Sequence, residues 1–206
     1  MQLFGSPTSP FVRKVRVLIA EKGIACPFVT EDPWQSRPEF LALNPIGKVP
    51  VLLLDDGRTL FESLAVMEYL DAQGTGARLM PPEGPRRWEV LRWHALGHGL
   101  IDAVVARLLE TRRPEAFQMR DRMQREEDRV ARIIAVCERE LPKAGSLVGG
   151  ALSIADLTLA VALSYTDFRY AHDWRSAAPR LAAWERDMAL RPSLTSTLPP
   201  GFTRPA

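Results

Sequence analysis

"VPVLLLDDGRTLFES", residues 49–63, decides the fold. An apolar run at 51–54 stops at Asp55-Asp56-Gly57, and a second short run starts at Thr59. Two such runs around a turn signal read as a β-hairpin. Ser63 follows as a helix-capping residue, and helical spacing continues over 63–71. Pro50 heads the first strand, where its missing amide donor costs no ladder bond. The Val49–Pro50 bond is either cis, turning the Val49 amide and carbonyl outward where an extended peptide can pair with them, or trans at a strand edge. Sequence alone leaves both open.

Upstream, "QLF" at 2–4 is a strand ended by Gly5. From Pro10 a helix fits, with Phe11, Val15, Leu18 and Ile19 on one face and Gly23 as its stop. "CPFVT" at 26–30 is a second strand, and a loop with a short helix at 38–42 leads to the hairpin. The order is βαβα then ββα, a parallel pair crossed by a helix with a hairpin added.

Downstream, "QGTGARLMPPEGPR" at 73–86 crowds Gly and Pro together and reads as a connector. No strand signal follows. Helices are expected over 86–110 and 114–141, then from "ALSIADLTLAVALSY" at 151–165 and "APRLAAWERDMALR" at 178–191. The Pro-rich tail at 192–206 is expected to be unpaired. The chain therefore divides into an α/β domain at 1–76, a linker at 77–85 and an all-α domain at 86–206. In the second helix, Arg122 and Glu126 are spaced for an i,i+4 pair, and Val130, Ile133, Ile134, Cys137 and Leu141 share a face. Acidic residues among its arginines speak against a nucleic-acid surface.

Bulk composition excludes several classes. The chain has 206 residues, 46% hydrophobic and 25% charged, with a net charge of +2. That is ordinary for a globular protein and gives no strong field toward nucleic acid or anionic membrane. Cys26 and Cys137 are far apart, so neither a disulfide framework nor a Cys-x-x-Cys redox motif is present. The N-terminus lacks the charged and apolar regions of a signal peptide, and no apolar run approaches a membrane span. A cytoplasmic protein with no membrane or nucleic-acid partner is expected.

Three short segments carry chemistry together. Ser9 caps a helix that begins at Pro10, placing a hydroxyl and free amides at the positive end of a helix dipole, where an anion such as a thiolate is favoured. Val49 offers backbone groups beside Pro50. Ser63, expected as the next N-cap, sits beside Glu62; amides there suit a carboxylate and Glu62 suits an ammonium, the two charges of an α-amino acid end. Taken singly, each is explained by capping or strand ends alone.

Joined in order, "SPTSPFVRKVRVLIAEKGI", "NPIGKVPVLLLDDGRTLFESLAVMEYL" and "LSIADLTLAVAL" resemble the glutathione transferase family over nearly the whole chain. The likeness is nearest to classes with a Ser just before Pro, including the plant tau class and bacterial relatives. It implies a thioredoxin-like βαβαββα domain followed by an all-helical domain. It also implies glutathione as co-substrate, a hydrophobic electrophile as second substrate, a homodimer, no metal, and a detoxifying transferase with weak peroxidase activity. By the same resemblance Ser9 donates to the glutathione sulfur, and Phe11 edges the site. The Val49 backbone pairs with the cysteinyl part, Lys48 reaches the glycine carboxylate, and Glu62 with Ser63 holds the γ-glutamyl end. Trp34 is placed at the site by its loop position. No Cys stands at position 8 or 9, which excludes the thiol-transfer classes, and the Ser-rich motif of the zeta class is absent. Thr8 is a second hydroxyl able to share the role of Ser9.

"LSIADLTL" has its own account: Ser153 at N-cap and Asp156 at N3 form a capping box, with Leu152 and Leu157 as a hydrophobic staple. His94, His98 and Asp102 stand at i, i+4 and i+8, a pattern that raises zinc. One helix spreads such ligands over about 12 Å, too far for one ion. A polar face beside the electrophile, with His94, His98, Ile101 and Asp102 as contacts, is the preferred reading; a zinc enzyme is the less favoured one. A glutathione-transferase-like binding or regulatory protein without catalysis is the main alternative.

Overall fold

The computed structural model describes residues 1–35 and 37–205 of the chain. Its N-terminal part holds strands β1 (Gln2–Gly5), β2 (Phe28–Thr30), β3 (Val51–Leu53) and β4 (Thr59–Phe61), with helices α1 (Pro10–Glu21), α2 (Pro38–Leu43) and α3 (Ser63–Gln73). A 3₁₀ turn spans Pro33–Gln35. The sheet order is β2-β1-β3-β4, with β1 and β2 parallel and the other neighbours antiparallel. This is the expected thioredoxin-like βαβαββα arrangement. The hairpin turn closes through Leu54 N–H to Arg58 O at 2.8 Å, with Gly57 at φ 85°, a backbone region that favours glycine.

Helix α1 buries Val12, Val15, Val17 and Leu18, while Phe11 is only half-buried, so the buried face is turned from the one its spacing suggests. Gly5 explains the close approach: a Cβ there would lie 2.5 Å from a Val12 methyl. Gly23, at φ 60°, follows the helix end as expected.

The first compact unit continues past the expected boundary, comprising Met1–Met80 and Pro192–Gly201. Buried Lys22 and Asp71 form an ion pair at 3.1 Å. The Asp71 carboxylate accepts the Leu79 and Met80 amides, and Lys22 Nζ donates to Ala77 O at 3.0 Å. The chain just after α3 is thereby tied to the unit instead of hanging as a connector. Nor is the C-terminal tail unpaired. Helix α8 (Pro192–Thr195) packs on α1, where buried Arg13 donates to Leu194 O at 3.0 Å and the Ser193 hydroxyl bonds Glu21.

The second unit, Pro81–Arg191 with the chain end from Phe202, is helical: α4 (Pro85–Thr111), α5 (Arg120–Glu140), α6 (Ile154–Arg169) and α7 (Pro179–Ala189). α6 is buried on every side from Ile154 to Thr166, as an apolar helix inside a bundle must be. Its capping box forms: the Ser153 amide and hydroxyl both donate to Asp156 Oδ2, at 2.8 and 2.6 Å. The expected helix over 114–141 is broken. A 3₁₀ turn at Glu115–Phe117 and extended backbone at Gln118 and Met119 precede α5. The break arises because Glu110, buried near the end of α4, accepts the Met119 amide at 2.8 Å, while Gln118 donates to Thr111 O and Arg113 O. The expected Arg122–Glu126 pair is replaced: Arg122 faces Glu110 at 3.8 Å, and Glu126 pairs with Arg129 at 2.9 Å.

Candidate functional site

Strand register brings the sequence candidates to one end of the first unit's sheet. Phe4 pairs with Val51, and Val51 pairs with Phe61. One residue beyond that row stand Gly5, Pro50 and Glu62. The β1–α1 loop with Ser9, the Val49–Pro50 step and the β4–α3 junction therefore leave the sheet at the same end.

Ser9 is the N-cap of α1, and its Oγ accepts from the Val12 amide at 3.4 Å. Capping uses an oxygen lone pair and leaves the hydroxyl hydrogen available to another acceptor. Thr8 is placed differently: its Oγ1 lies 3.2 Å from Ser6 Oγ, so the two hydroxyls share a hydrogen bond. Phe11 is half-buried, with the Lys14 ammonium 6.0 Å from its ring centre.

The Val49–Pro50 bond is cis. Neither the amide nor the carbonyl of Val49 has a hydrogen-bond partner among the described residues. The preceding turn is held by Asn44, 1% exposed, which donates to Lys48 O at 2.7 Å and accepts from Ile46 N at 3.0 Å. Sequence reading passed over Asn44, although Asn before Pro is a recognisable side-chain turn signal. The Lys48 side chain is exposed.

At the third segment the structure corrects an expectation: Glu62, not Ser63, is the N-cap of α3. Glu62 has φ 73° and ψ 118°, the only positive φ at a non-glycine among the described residues. The chain turns one residue early, and the longer side chain folds back so that Oε2 accepts the Leu64 and Ala65 amides at 3.0 and 3.3 Å. Ser63 opens the helix, and its hydroxyl donates to Glu62 Oε1 at 3.3 Å. The Ser63 amide has no partner among the described residues. An unfavourable backbone region held at a carboxylate on this sheet end is the kind of strain that accompanies binding sites. Preference for Ser over Glu at caps hid this from the sequence.

Trp34 is 71% exposed on its 3₁₀ turn, its amide held by Asp32 Oδ1 at 3.1 Å, and nothing described joins it to the segments above. In the second unit, His94 and Ile101 are buried, at 4% and 0% exposure. His98 and Asp102 lie nearer the surface, 3.7 Å apart, and the His94 and His98 rings are 5.5 Å apart. Among the described residues no three metal-binding side chains converge.

Comparison with known proteins supplies independent findings. Residues 3–78 match the model for the glutathione S-transferase N-terminal domain, and residues 120–187 match that for the C-terminal domain. The uncharacterized GST-like protein YibF of Escherichia coli (strain K12) is 33% identical over 201 residues, covering 97% of this chain and 99% of that one. A glutathione S-transferase of Methylobacillus flagellatus KT, solved with glutathione bound, superposes with a TM-score of 0.91 at 37% identity, covering 96% of this chain and 98% of its own. A glutathione transferase family member of Pseudomonas fluorescens Pf-5, solved with S-(propanoic acid)-glutathione, gives a TM-score of 0.84 at 35% identity, covering 97% of this chain and 100% of its own.

Proposed function

The chain belongs to the glutathione S-transferase family, and on that premise we propose that it ionises glutathione at Ser9 and joins the sulfur to a hydrophobic electrophile. One observation carries this reading: the Ser9 hydroxyl caps α1 through a lone pair and keeps its hydrogen for an acceptor at the helix N-terminus. A free thiol ionises near pH 8.5. A hydroxyl donor and a helix dipole both favour the anion and lower that value. The thiol proton leaves to solvent. The thiolate then forms a C–S bond as a carbon–halogen bond breaks, and the halide departs with the bonding pair. Ser9 donates a hydrogen bond throughout and is never itself the nucleophile.

The rest of the tripeptide follows from the same sheet end. The unpartnered amide and carbonyl of Val49 pair with the cysteinyl residue, as one extended strand with another. The Ser63 amide takes the γ-glutamyl carboxylate. Glu62, already turned toward this helix start, accepts from the ammonium with its remaining lone pairs. Lys48 takes the glycine carboxylate, Phe11 and Trp34 flank the ligand, and His94, His98, Ile101 and Asp102 contact the electrophile. Relatives in Methylobacillus and Pseudomonas solved with glutathione or a glutathione derivative bound support glutathione as the ligand. The latter's ligand bears a carboxylate on its sulfur substituent. We also propose a cytoplasmic detoxifying role and a homodimer; Trp88, 68% exposed on α4, offers apolar surface to a partner.

The test is retention on immobilised glutathione, followed by conjugation of chlorodinitrobenzene by wild type and Ser9→Ala. Losing one hydrogen bond to a charged sulfur costs about 1.5–3 kcal/mol, so turnover should fall about 10- to 100-fold. If the variant is as fast, Ser9 is a cap and nothing more. If neither protein binds the resin, the non-catalytic alternative replaces this reading.

A further inference from the structure

The second unit holds guanidinium and aromatic groups at the C-terminal ends of α4 and α6 that the transferase reading leaves unused. The two helices run side by side in one direction. A Cβ on Gly97 would lie 3.0 Å from Leu159 N, and ten residues on the Arg107 guanidinium lies 4.0 Å from the Tyr170 ring centre. Arg107 is neutralised by Glu127 at 2.7 Å. Arg169, the last residue of α6, and Arg112, which ends α4, have no carboxylate partner among the described residues. Arg169 stacks over Phe168 at 3.8 Å, and its Nε is buried without a hydrogen-bond partner. Phe168 in turn lies 5.2 Å from Phe202 and 6.4 Å from Tyr165. Tyr165, one helical turn before Arg169, is 5% exposed. Burial pushes its hydroxyl above the usual range, more than the nearby Arg169 and Arg112 charges lower it, so it stays protonated and able to donate. An uncompensated guanidinium with an unsatisfied buried N–H, a protonated phenol beside it and aromatic faces adjoining match an organic acid: charge and donors for the carboxylate, rings for its body.

We propose that Arg169, aided by Tyr165 and Arg112, binds the carboxylate of an aromatic acid whose apolar body packs against Phe168 and Phe202. The site stands on the second unit's own geometry and is separate from the contacts proposed for the electrophile at His94, His98, Ile101 and Asp102.

The experiment is calorimetric titration of the whole protein with nitrobenzoate and with methyl nitrobenzoate, in which a methyl group caps the acid and removes its charge. Wild type should bind the acid about ten-fold tighter or more, the size of a charged hydrogen bond. Arg169→Gln should bring the two affinities together, Arg169→Lys should restore part of the difference, and the exposed Arg112→Gln should narrow it. Equal affinity for acid and ester, binding of neither, or a ratio unmoved by both glutamine variants overturns the inference. Chlorodinitrobenzene conjugation is followed in parallel. If it proceeds without any preference for the acid, this inference falls and the transferase reading stands. If the acid is preferred but no conjugation occurs, the acid site stands and the transferase reading falls.

Discussion

At Glu62 one side chain answers two demands. It holds a positive φ of 73° that costs a residue with a Cβ, and its carboxylate closes the start of α3. Glu62→Ala keeps the strain and loses the cap, so it should destabilise by about 1–2 kcal/mol in urea unfolding. Glu62→Gly also loses the cap but escapes the Cβ penalty, and should be about 1 kcal/mol more stable than the alanine variant. Both should raise the KM for glutathione. Equal stability of the two variants would remove the strain from the account. Burial pushes the Cys137 thiol up to about 12, well above the roughly 8.5 of a free thiol. The unfolded chain therefore releases this proton first, and stability conferred by the buried neutral thiol is complete below the free-thiol pKa of about 8.5 and is lost as pH rises toward 12. Melting temperature should fall across that alkaline window, and Cys137→Ala should flatten the fall. Of the residue-scale features, the Ser9 cap and the capping box at Ser153 and Asp156 were legible because their signals are local. The Glu62 cap was not, because a strained φ at a non-glycine leaves no mark in composition.

Among elements, α4 shows how finely packing is set. A Cβ on Gly97 would meet the Leu159 backbone at 3.0 Å, and backbone cannot swing away. On the same helix a Cβ on Gly99 would meet only the Ile133 side chain, at an ordinary 3.7 Å. Gly97→Ala should therefore cost about 1–3 kcal/mol by forcing α4 from α6. Gly99→Ala should gain about 0.5–1 kcal/mol by removing glycine's helix penalty. Thermal melts of the pair check this directly, and a stabilised Gly97→Ala would contradict the close packing. Strands, hairpin and most helices were readable because period, Pro and Gly act within a few residues. The break before α5 was not: it depends on Glu110, nine residues back on another helix, accepting the Met119 amide.

For the molecule as a whole, the chain returns to its first unit at Pro192 after building most of the second. Composition made the tail look idle, since a contact spanning 181 residues, Arg13 to Leu194, has no local signature. A chain ended at Arg191 loses a buried leucine and a charged hydrogen bond, together about 3–6 kcal/mol. Its midpoint should drop by on the order of 10 °C; an unchanged midpoint would make the tail dispensable. The candidate site is likewise assembled by register, which joins three segments far apart in sequence; capping and strand-end signals marked each segment, and only the resemblance gave them a common ligand. Its central claim is that an N-cap hydroxyl keeps a bound sulfur ionised. The most direct measurement is a thiolate absorbance titration of glutathione bound to wild type and to Ser9→Ala. Wild type should ionise the sulfur at least about one pH unit below the free thiol, with the variant moving back toward it. A bound thiol that titrates as it does in buffer, or a variant that titrates as wild type does, would contradict the account.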